Sequence, residues 1–364
     1  MIPVVFIGIA IACGGGGPSV GAPDGAVTTD TAVVVDSIGL LMGDSNYVFG
    51  SVVDFAPLQD GGTVVLDRLD GRISLFDAEG RFASGFGALG EGPGRFQYPV
   101  RVLELPSGLF LVGEMLAGTI NVFDPTGAFI DRWSMEGVGV FPLAMAAFDD
   151  SSFLSYNFQL VLGMDDYGIR FSLWRYHALT GEVLTRYMTW DGEASPSTDF
   201  RPAYLCFTTD REGSMFLSRV EDPCWRVEVF GTGPVAVDTV ILFPERSRLP
   251  LESDSLPVPG VAMISYMYQD ESGGSGQMST NPPDEHPVIS ALAWGPDGNL
   301  WARRGGYPAA DWDVVSVEGA HVGSIHFAGT DSMPLLDVRT GPGGIRAIDP
   351  LNEDYHRVYV YQAP

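Results

Sequence analysis

The sequence predicts an all-β chain folded as a six-bladed β-propeller, with an N-terminal strand closing the last blade. Three observations carry this expectation. A unit of turn glycine plus strand recurs along the chain, and its spacing clusters near 45 residues. The last unit also lacks one strand, while the N-terminus has one to spare. No stretch longer than a turn or two shows the 3.6-residue apolar stripe of a surface helix.

The first unit appears as "QDGGTVVLD" (59–67), "LPSGLFLVG" (105–113), "DREGSMFLS" (210–218), "GPDGNLWAR" (295–303) and "GPGGIRAID" (341–349), with "DDSSFLSYN" (149–157) carrying serine in place of glycine. A second unit sets two strands about a short glycine turn: "ISLFDAEGRF" (73–82), "INVFDPTGAF" (120–129), "WRYHALTGEVL" (174–184), "RVEVFGTGPVAV" (226–237) and "DVVSVEGAHVG" (313–323). Asp/Gly turns between β-rich runs are hairpin signals.

The turn positions 62, 108, 152, 213, 298 and 344 are separated by 46, 44, 61, 85 and 46 residues. A four-stranded blade occupies about 45 residues, so the two long intervals call for insertions. One is placed at 159–170 as a loop between second and third strands. The other is placed at 244–287, rich in Pro, Ser, Gly and acid, as a loop insertion with a short ordered segment near Val261–Tyr268. In the sixth unit "LLDVRTGPGG", "IRAIDP" and "HRVYVYQ" supply three strands, and "TAVVVDSIGLL" (31–41) supplies the fourth. Pairing it there removes an exposed edge and ties the termini together.

The chain has 364 residues and a formal net charge of −26, and its 20 basic residues are all arginine. A field of that sign repels phosphate backbones, which argues against nucleic-acid binding. The missing lysine removes Schiff-base and Walker-type lysine chemistry. Residues 1–12 read as an export signal: Ile2–Ala12 is an apolar run too short to span a bilayer, and Ala10-Ile11-Ala12 fits a small-x-small cleavage pattern. Residues 13–30 read as a flexible tether, and 31–364 as the propeller. Cys13 followed by "GGGGPSVGAPDGA" resembles a bacterial lipoprotein signal, with Cys13 lipidated, although no Lys or Arg precedes the apolar run and Ala10 stands where leucine is more usual. Cleavage after Ala12 without lipid is the alternative. Either way the mature chain is extracytoplasmic, lipid-anchored to the cell envelope or secreted. Cys206 and Cys224 then form one disulfide or remain two buried thiols, and the sequence leaves both open.

Residues 86–99, "FGALGEGPGRFQYP", raise the question of a phosphate-cradling loop. No helix follows, Pro93 interrupts, and no Lys-Ser/Thr pair is present, so the stretch reads as a connector from the rim of one blade to the inner strand of the next. There glycine supplies left-handed turns, and Pro93 and Pro99 fix direction. This glycine-proline stretch leads into an apolar strand, a glycine-led "LFLVGE" and the hairpin "INVFDPTG". That order resembles the NHL repeat. The whole chain is similar to the six-bladed propellers of the NHL and TolB-like group, best over 54–133 and again over 288–328.

The resemblance implies ligand contacts on the face that carries the rim-to-centre connectors. Residues expected there are Arg68, Asp70, Arg95, Tyr98, Arg101, Glu114, Arg201, Tyr204, Asp222, Trp225, Arg303, Arg304, Tyr307, Trp312, Asp313, Asp349 and Tyr355. Arginine with aromatics suits a polar or anionic partner, whereas arginine at a strand end in an acidic protein is equally the mark of a structural ion pair. "WARRGGYPAADWD" (301–313) is the densest cluster. The five histidines, His177, His286, His321, His326 and His356, lack zinc-ligand spacing. No cofactor is predicted. Calcium in the channel, held by carboxylates such as Asp54, Glu104, Glu114 and Asp349, is the one ion left open. No nucleophile–base pattern is legible, and no G-x-S-x-G elbow occurs. The favoured reading is therefore a monomeric binding or scaffolding propeller, meeting an envelope protein, peptide or glycan and touching membrane only through its lipid. The alternative is a calcium-dependent propeller hydrolase, lactonase or lyase.

Overall fold

The computed structural model describes residues 29–363 apart from 116–117, 138–139, 163–166, 195–204, 220–223, 232–238, 248, 251–264, 270–274, 280–284, 306–310, 330–336 and 350–354. The described residues form an all-β propeller. Four of its sheets are four-stranded antiparallel meanders in chain order. The first holds β2 (Val52–Pro57), β3 (Thr63–Asp67), β4 (Arg72–Phe76) and β5 (Phe82–Phe86). The second holds β6 (Pro99–Glu104), β7 (Phe110–Glu114), β8 (Thr119–Phe123) and β9 (Phe129–Ser134). The third holds β10 (Val140–Ala147), β11 (Ser152–Leu162), β12 (Tyr167–His177) and β13 (Val183–Ala194). The fourth holds β14 (Leu205–Thr209), β15 (Met215–Arg219), β16 (Cys224–Phe230) and β17 (Thr239–Ser247).

The remaining long strands make one eight-stranded sheet. They are β1 (Thr29–Ile38), β22 (Ile289–Trp294), β23 (Leu300–Arg304), β24 (Asp311–Val315), β25 (His321–Phe327), β26 (Asp337–Gly341), β27 (Gly344–Ile348) and β28 (Val358–Gln362). Their order is β22-β23-β24-β25-β1-β28-β27-β26. β1 changes partner along its length. Thr29–Ala32 pair parallel with Ser324–Phe327 of β25, and Val33–Ile38 pair antiparallel with Gln362–Val358 of β28, with a bulge between Val34 and Asp36.

Two stretches expected to be loops contain strands. Within 159–170, β11 and β12 continue as a paired hairpin, from Gln159 opposite Arg170 to Leu162 opposite Tyr167. The β-branched and apolar "QLVL" run extends a ladder already in register. Within 244–287 lie the end of β17 and two small sheets: β18 (Leu249–Pro250) with β21 (Glu285–His286), and β19 (Ser265–Gln269) with β20 (Ser275–Ser279).

The core is divided among the sheets by the two-residue period of the strands. β3 is buried on both faces, yet its neighbours in sequence serve different cores. Val64 and Leu66 join Val102, Phe110 and Val112 of the second sheet, whereas Val65 joins Ile38, Ile348 and Val358. β23 repeats the pattern: Leu300 and Ala302 pack with Trp225 and Val227 of the fourth sheet, and Trp301 packs with Ile345 and Tyr361. Such strands read as unbroken apolar runs because neither face meets water.

The connector 86–99 is held by the same logic at a finer scale. Gly87, Gly90, Gly92 and Gly94 all have φ between +70° and +132°, and a Cβ on Gly87 would stand 2.4 Å from the Phe96 ring. The buried Glu114 at the end of β7 accepts hydrogen bonds from the Gln97 amide (2.6 Å), Asn121 Nδ2 (2.8 Å) and Thr119 Oγ1 (3.1 Å). Arg132 binds the loop from below through Gly92 O (3.1 Å) and Arg95 O, and is itself fixed by Asn121 Oδ1 (2.6 Å). Asp67 at the end of β3 does the equivalent one sheet earlier, accepting from the amides of Gly50 (2.7 Å) and Ser51 (3.0 Å).

Candidate functional site

The innermost strands of the sheets run side by side, and their C-terminal ends open into one cavity of about 770 Å³. Its wall is contributed by β2, β6, β10, β14, β22 and β26 and by the hairpin turns that follow them. That size suits a small molecule or a short peptide segment. Because inner strands run in the same sense, this mouth lies at the opposite end of the channel from the rim-to-centre connectors.

The deep part of the channel is charged and internally paired. Asp54 on β2 is 5% exposed; its Oδ2 accepts from the Val102 amide at 2.8 Å, and its Oδ1 lies 3.5 Å from Arg339 Nη2. Arg339 also reaches Asp337 Oδ2 at 3.2 Å and sits over the Phe55 ring. Burial pushes the Asp54 carboxyl up, against the pull of Arg339 and Arg101. Asp337 holds the Arg339 guanidinium in its charged form, raising its pKa. Arg101 on β6 donates to Leu143 O of β10 (Nε, 2.7 Å) and to Val100 O (2.8 Å), and burial lowers its pKa. These arginines therefore lock neighbouring inner strands together.

Nearer the mouth the charge balance is different. Glu104, Asp149, Asp150, Asp210 and Glu212 line the rim, and Arg211 is the one basic residue among them. Phe207, Trp294 and Met145 supply apolar wall. Burial raises the Glu104 carboxyl, while its Oε2 accepts the Gln59 amide at 2.9 Å. Arg211 has a φ of +64°, a left-handed value that a non-glycine side chain seldom adopts. Its Nη2 donates to Glu104 O at 2.6 Å, so the side chain crosses from the turn after β14 to the end of β6, past the end of β10.

The described residues among the ligand contacts expected from sequence lie outside the cavity lining, and the structure pairs many of them with one another. Arg68 stacks over the Tyr98 ring at 4.9 Å and donates to its hydroxyl at 3.1 Å. Arg95 is bound within its own loop, to Leu89 O at 3.2 Å. Glu114 serves the connector. Trp225 and Trp312 are each 1% exposed and belong to the core, and Arg303 is 4% exposed. Arg304 holds Asp313 at 2.7 Å, with His321 Nε2 3.2 Å from the same oxygen. Asp311 pairs with His326 Nδ1 at 2.9 Å. Arg357 stacks on Tyr355 at 4.8 Å. Asp70 and Asp349 lie outside the cavity lining. Arg201, Tyr204, Asp222, Tyr307 and Cys13 lie outside the described residues.

Of the two options left open for Cys206 and Cys224, the structure shows two buried thiols not bonded to each other, on β14 and β16, which are separated by β15. Two strand spacings of about 4.8 Å put their Cα atoms beyond the roughly 7 Å limit for a bridge. Of the carboxylates considered for calcium, Asp54 and Glu104 line the channel, whereas Glu114 does not; among the described residues no group of three or more His, Cys, Asp or Glu is disposed to hold a metal. The cavity residues that sequence reasoning missed, Arg211, Glu212, Asp149 and Asp150, belong to the hairpin turns used as the repeat ruler. There "DREG" and "DDSS" read only as turn chemistry.

No protein-family model matches the chain, and no curated relative matches it. Solved structures do. A putative exported protein from Bacteroides fragilis is similar at a TM-score of 0.53 and 11% identity, covering 93% of this chain and 99% of its own. A DUF4221 family member from Bacteroides vulgatus is similar at 0.51 and 10%, covering 91% and 97%. A calcium-binding protein, regucalcin from Agrobacterium tumefaciens, reaches 0.46 and 10%, covering 91% and 95%. At 10–11% identity the two likenesses above a TM-score of 0.5 show a shared fold alone.

Proposed function

We propose that this protein is an extracytoplasmic binding propeller of six blades, which takes its ligand in the funnel at the C-terminal ends of the inner strands. Six blades follow when the eight-stranded sheet is divided at β1, which joins the outer strand of the fifth blade to the closing strand of the sixth. The six core clusters, each shared by two neighbouring blades around the ring, support the same count. The leader Ile2–Ala12 and Cys13 support export, with a lipid anchor at Cys13. The partner is an envelope protein, peptide or glycan.

The observation that carries the binding reading is the funnel itself: a cavity of about 770 Å³ whose lining charges Asp54 and Arg339 are already engaged, with one another, with Asp337 at the start of β26 and with the Val102 amide. Groups already paired in this way hold the ring together and leave the open rim to meet a ligand. The test is elemental analysis of the purified mature protein with a chelator challenge of its melting temperature. No stoichiometric metal and an unchanged Tm are expected. One calcium per chain, whose removal lowers Tm, would overturn this reading in favour of a metal-dependent hydrolase or lyase.

A further inference from the structure

Arg211 occupies the funnel in a manner that its own fold does not require. Its turn, Asp210–Gly213, already has a hairpin-closing glycine at Gly213 (φ +110°), and Asp210 Oδ1 accepts the amides of Glu212 (2.8 Å) and Ser214 (2.9 Å). Those bonds would survive with any residue at 211. The residue is nevertheless an arginine at φ +64°, a value suited to glycine. Its guanidinium reaches across the mouth to the Glu104 carbonyl, and its Nη1 lies 3.9 Å from where a Cβ on Gly341 would stand. It thus bridges the turn of the fourth blade to the end of β6 and passes close to Gly341 of β26.

The surroundings explain what holds it there. Five carboxylates rim the cavity, and Asp150 and Glu212 among them are exposed. Beneath them Asp54 Oδ1, on a side chain 5% exposed, receives no hydrogen bond and meets Arg339 Nη2 only as an ion pair at 3.5 Å. Phe207 and Trp294 supply aromatic wall, Trp294 with one face already stacked on Phe216, and a guanidinium stacks on rings of this kind. The hydrogen-bond partner of the Arg211 guanidinium is a backbone carbonyl and its charge acts on Glu104, whereas among the described residues no cation pairs with the exposed Asp150 or Glu212.

We propose that the funnel receives an arginine-bearing peptide segment, and that Arg211 holds the place of that segment in the free protein. The proposal rests on the binding reading above and names its ligand. Binding then proceeds by displacement. Arg211 swings out, the incoming guanidinium takes the carboxylate rim and aromatic wall, and the apparent affinity is reduced by the fraction of molecules in which Arg211 is seated.

The test measures a labelled hexa-arginine peptide amide by fluorescence anisotropy against the full mature chain and four variants. Arg211→Gly removes the side chain while suiting the backbone, and about tenfold tighter binding is expected. The pair Asp150→Asn and Glu212→Gln is expected to weaken binding about tenfold through lost charge complementarity. The pair Glu79→Gln and Glu318→Gln, remote from the funnel, removes the same charge and is expected to leave affinity within about twofold. Arg211→Gln is a second variant for the displacement, with the same direction as glycine. Unchanged or weaker binding by both Arg211 variants would overturn the proposal. So would an equal loss in the remote pair, which would reduce the effect to net charge, or the absence of peptide binding to every form. Spermidine or hexaglutamate binding in place of the peptide would overturn the arginine-peptide assignment while leaving the binding propeller standing. A stoichiometric calcium would instead remove the binding reading on which it rests.

Discussion

Replacing Glu114 with alanine would leave the Gln97 amide, Asn121 Nδ2 and Thr119 Oγ1 without their acceptor and would strip Arg132 of its nearest carboxylate, 3.8 Å away. Removing one member of a buried charged network costs about 3–5 kcal/mol. Urea unfolding should show a loss of that size, with Glu114→Gln losing less because one acceptor oxygen remains. Limited proteolysis should find the 86–99 connector opened in the alanine variant. Asp54 and Glu104 make a prediction of opposite sign. Burial raises both carboxyls, so in the folded state each binds its proton at higher pH than in the unfolded chain. Between the ordinary values of 3.8 and 4.5 and their raised folded values, the native state binds more protons, and stability from these groups rises as pH falls through that window. Asp77, Asp124 and Asp149 act conversely, since hydrogen bonds lower their carboxyls, and their contribution is lost only below 3.8. Urea midpoints should therefore increase as pH falls from neutrality toward the ordinary carboxylate values of 3.8 and 4.5. Asp54→Asn with Glu104→Gln should flatten that rise, and a steeper rise in the double variant would exclude these two groups as its source. Cys206 adds a simple check: burial pushes its thiol up to about 12, so at pH 8 a thiol reagent should label it only after unfolding.

At the scale of elements, β1 is the strand whose role can be read at both levels. Its orphan status at one end of the chain and the missing strand at the other were legible, because a blade short of a strand leaves an unpaired edge. The parallel contact with β25 was not legible: four residues of pairing carry no sequence pattern of their own. Removing residues 1–38 should expose the edges of both β25 and β28 and take Ala32 and Ile38 out of two cores. We expect size-exclusion chromatography to show higher oligomers, and a monomer of unchanged Tm would refute the clasp. Ile38→Ala, a milder change, should cost about 2–4 kcal/mol as a buried truncation. The long β11–β12 hairpin marks the opposite case. "GMDDYG" (163–168) is turn-like in composition, and it drew the flanking ladder residues into a supposed loop. The funnel was legible least of all. Its wall is assembled from six segments spread between residues 54 and 342, and the property that distinguishes Arg211, its backbone torsion and reach, exists only once the ring has closed.

For the whole molecule, the sign of the net charge sets a competition. A formal charge of −26 repels itself across the ring, while the charge pairs inside it, Arg339 with Asp54 and Asp337 and Arg304 with Asp313, attract. Salt acts on the two unequally. The screening length falls from about 10 Å at 0.1 M to about 3 Å at 1 M, which removes surface repulsion between distant carboxylates but scarcely touches buried pairs. Asp54 and Asp313 are 5% and 0% exposed while their partners Arg339 and Arg304 are 37% and 41% exposed, so these attractions are screened less than the repulsion between fully exposed carboxylates. Sodium chloride between 0.1 and 1 M should therefore raise Tm by about 1–3 °C, on the order of 1–2 kcal/mol for a chain of this size. The same titration should weaken the hexa-arginine peptide, because its attraction to the exposed rim of Asp150 and Glu212 is screened along with the repulsion. Stability and binding should thus move in opposite directions along one salt axis. A Tm that fell with salt would mean that surface pairs, not the inner ones, hold the ring, and would move the stabilising charges out of the channel.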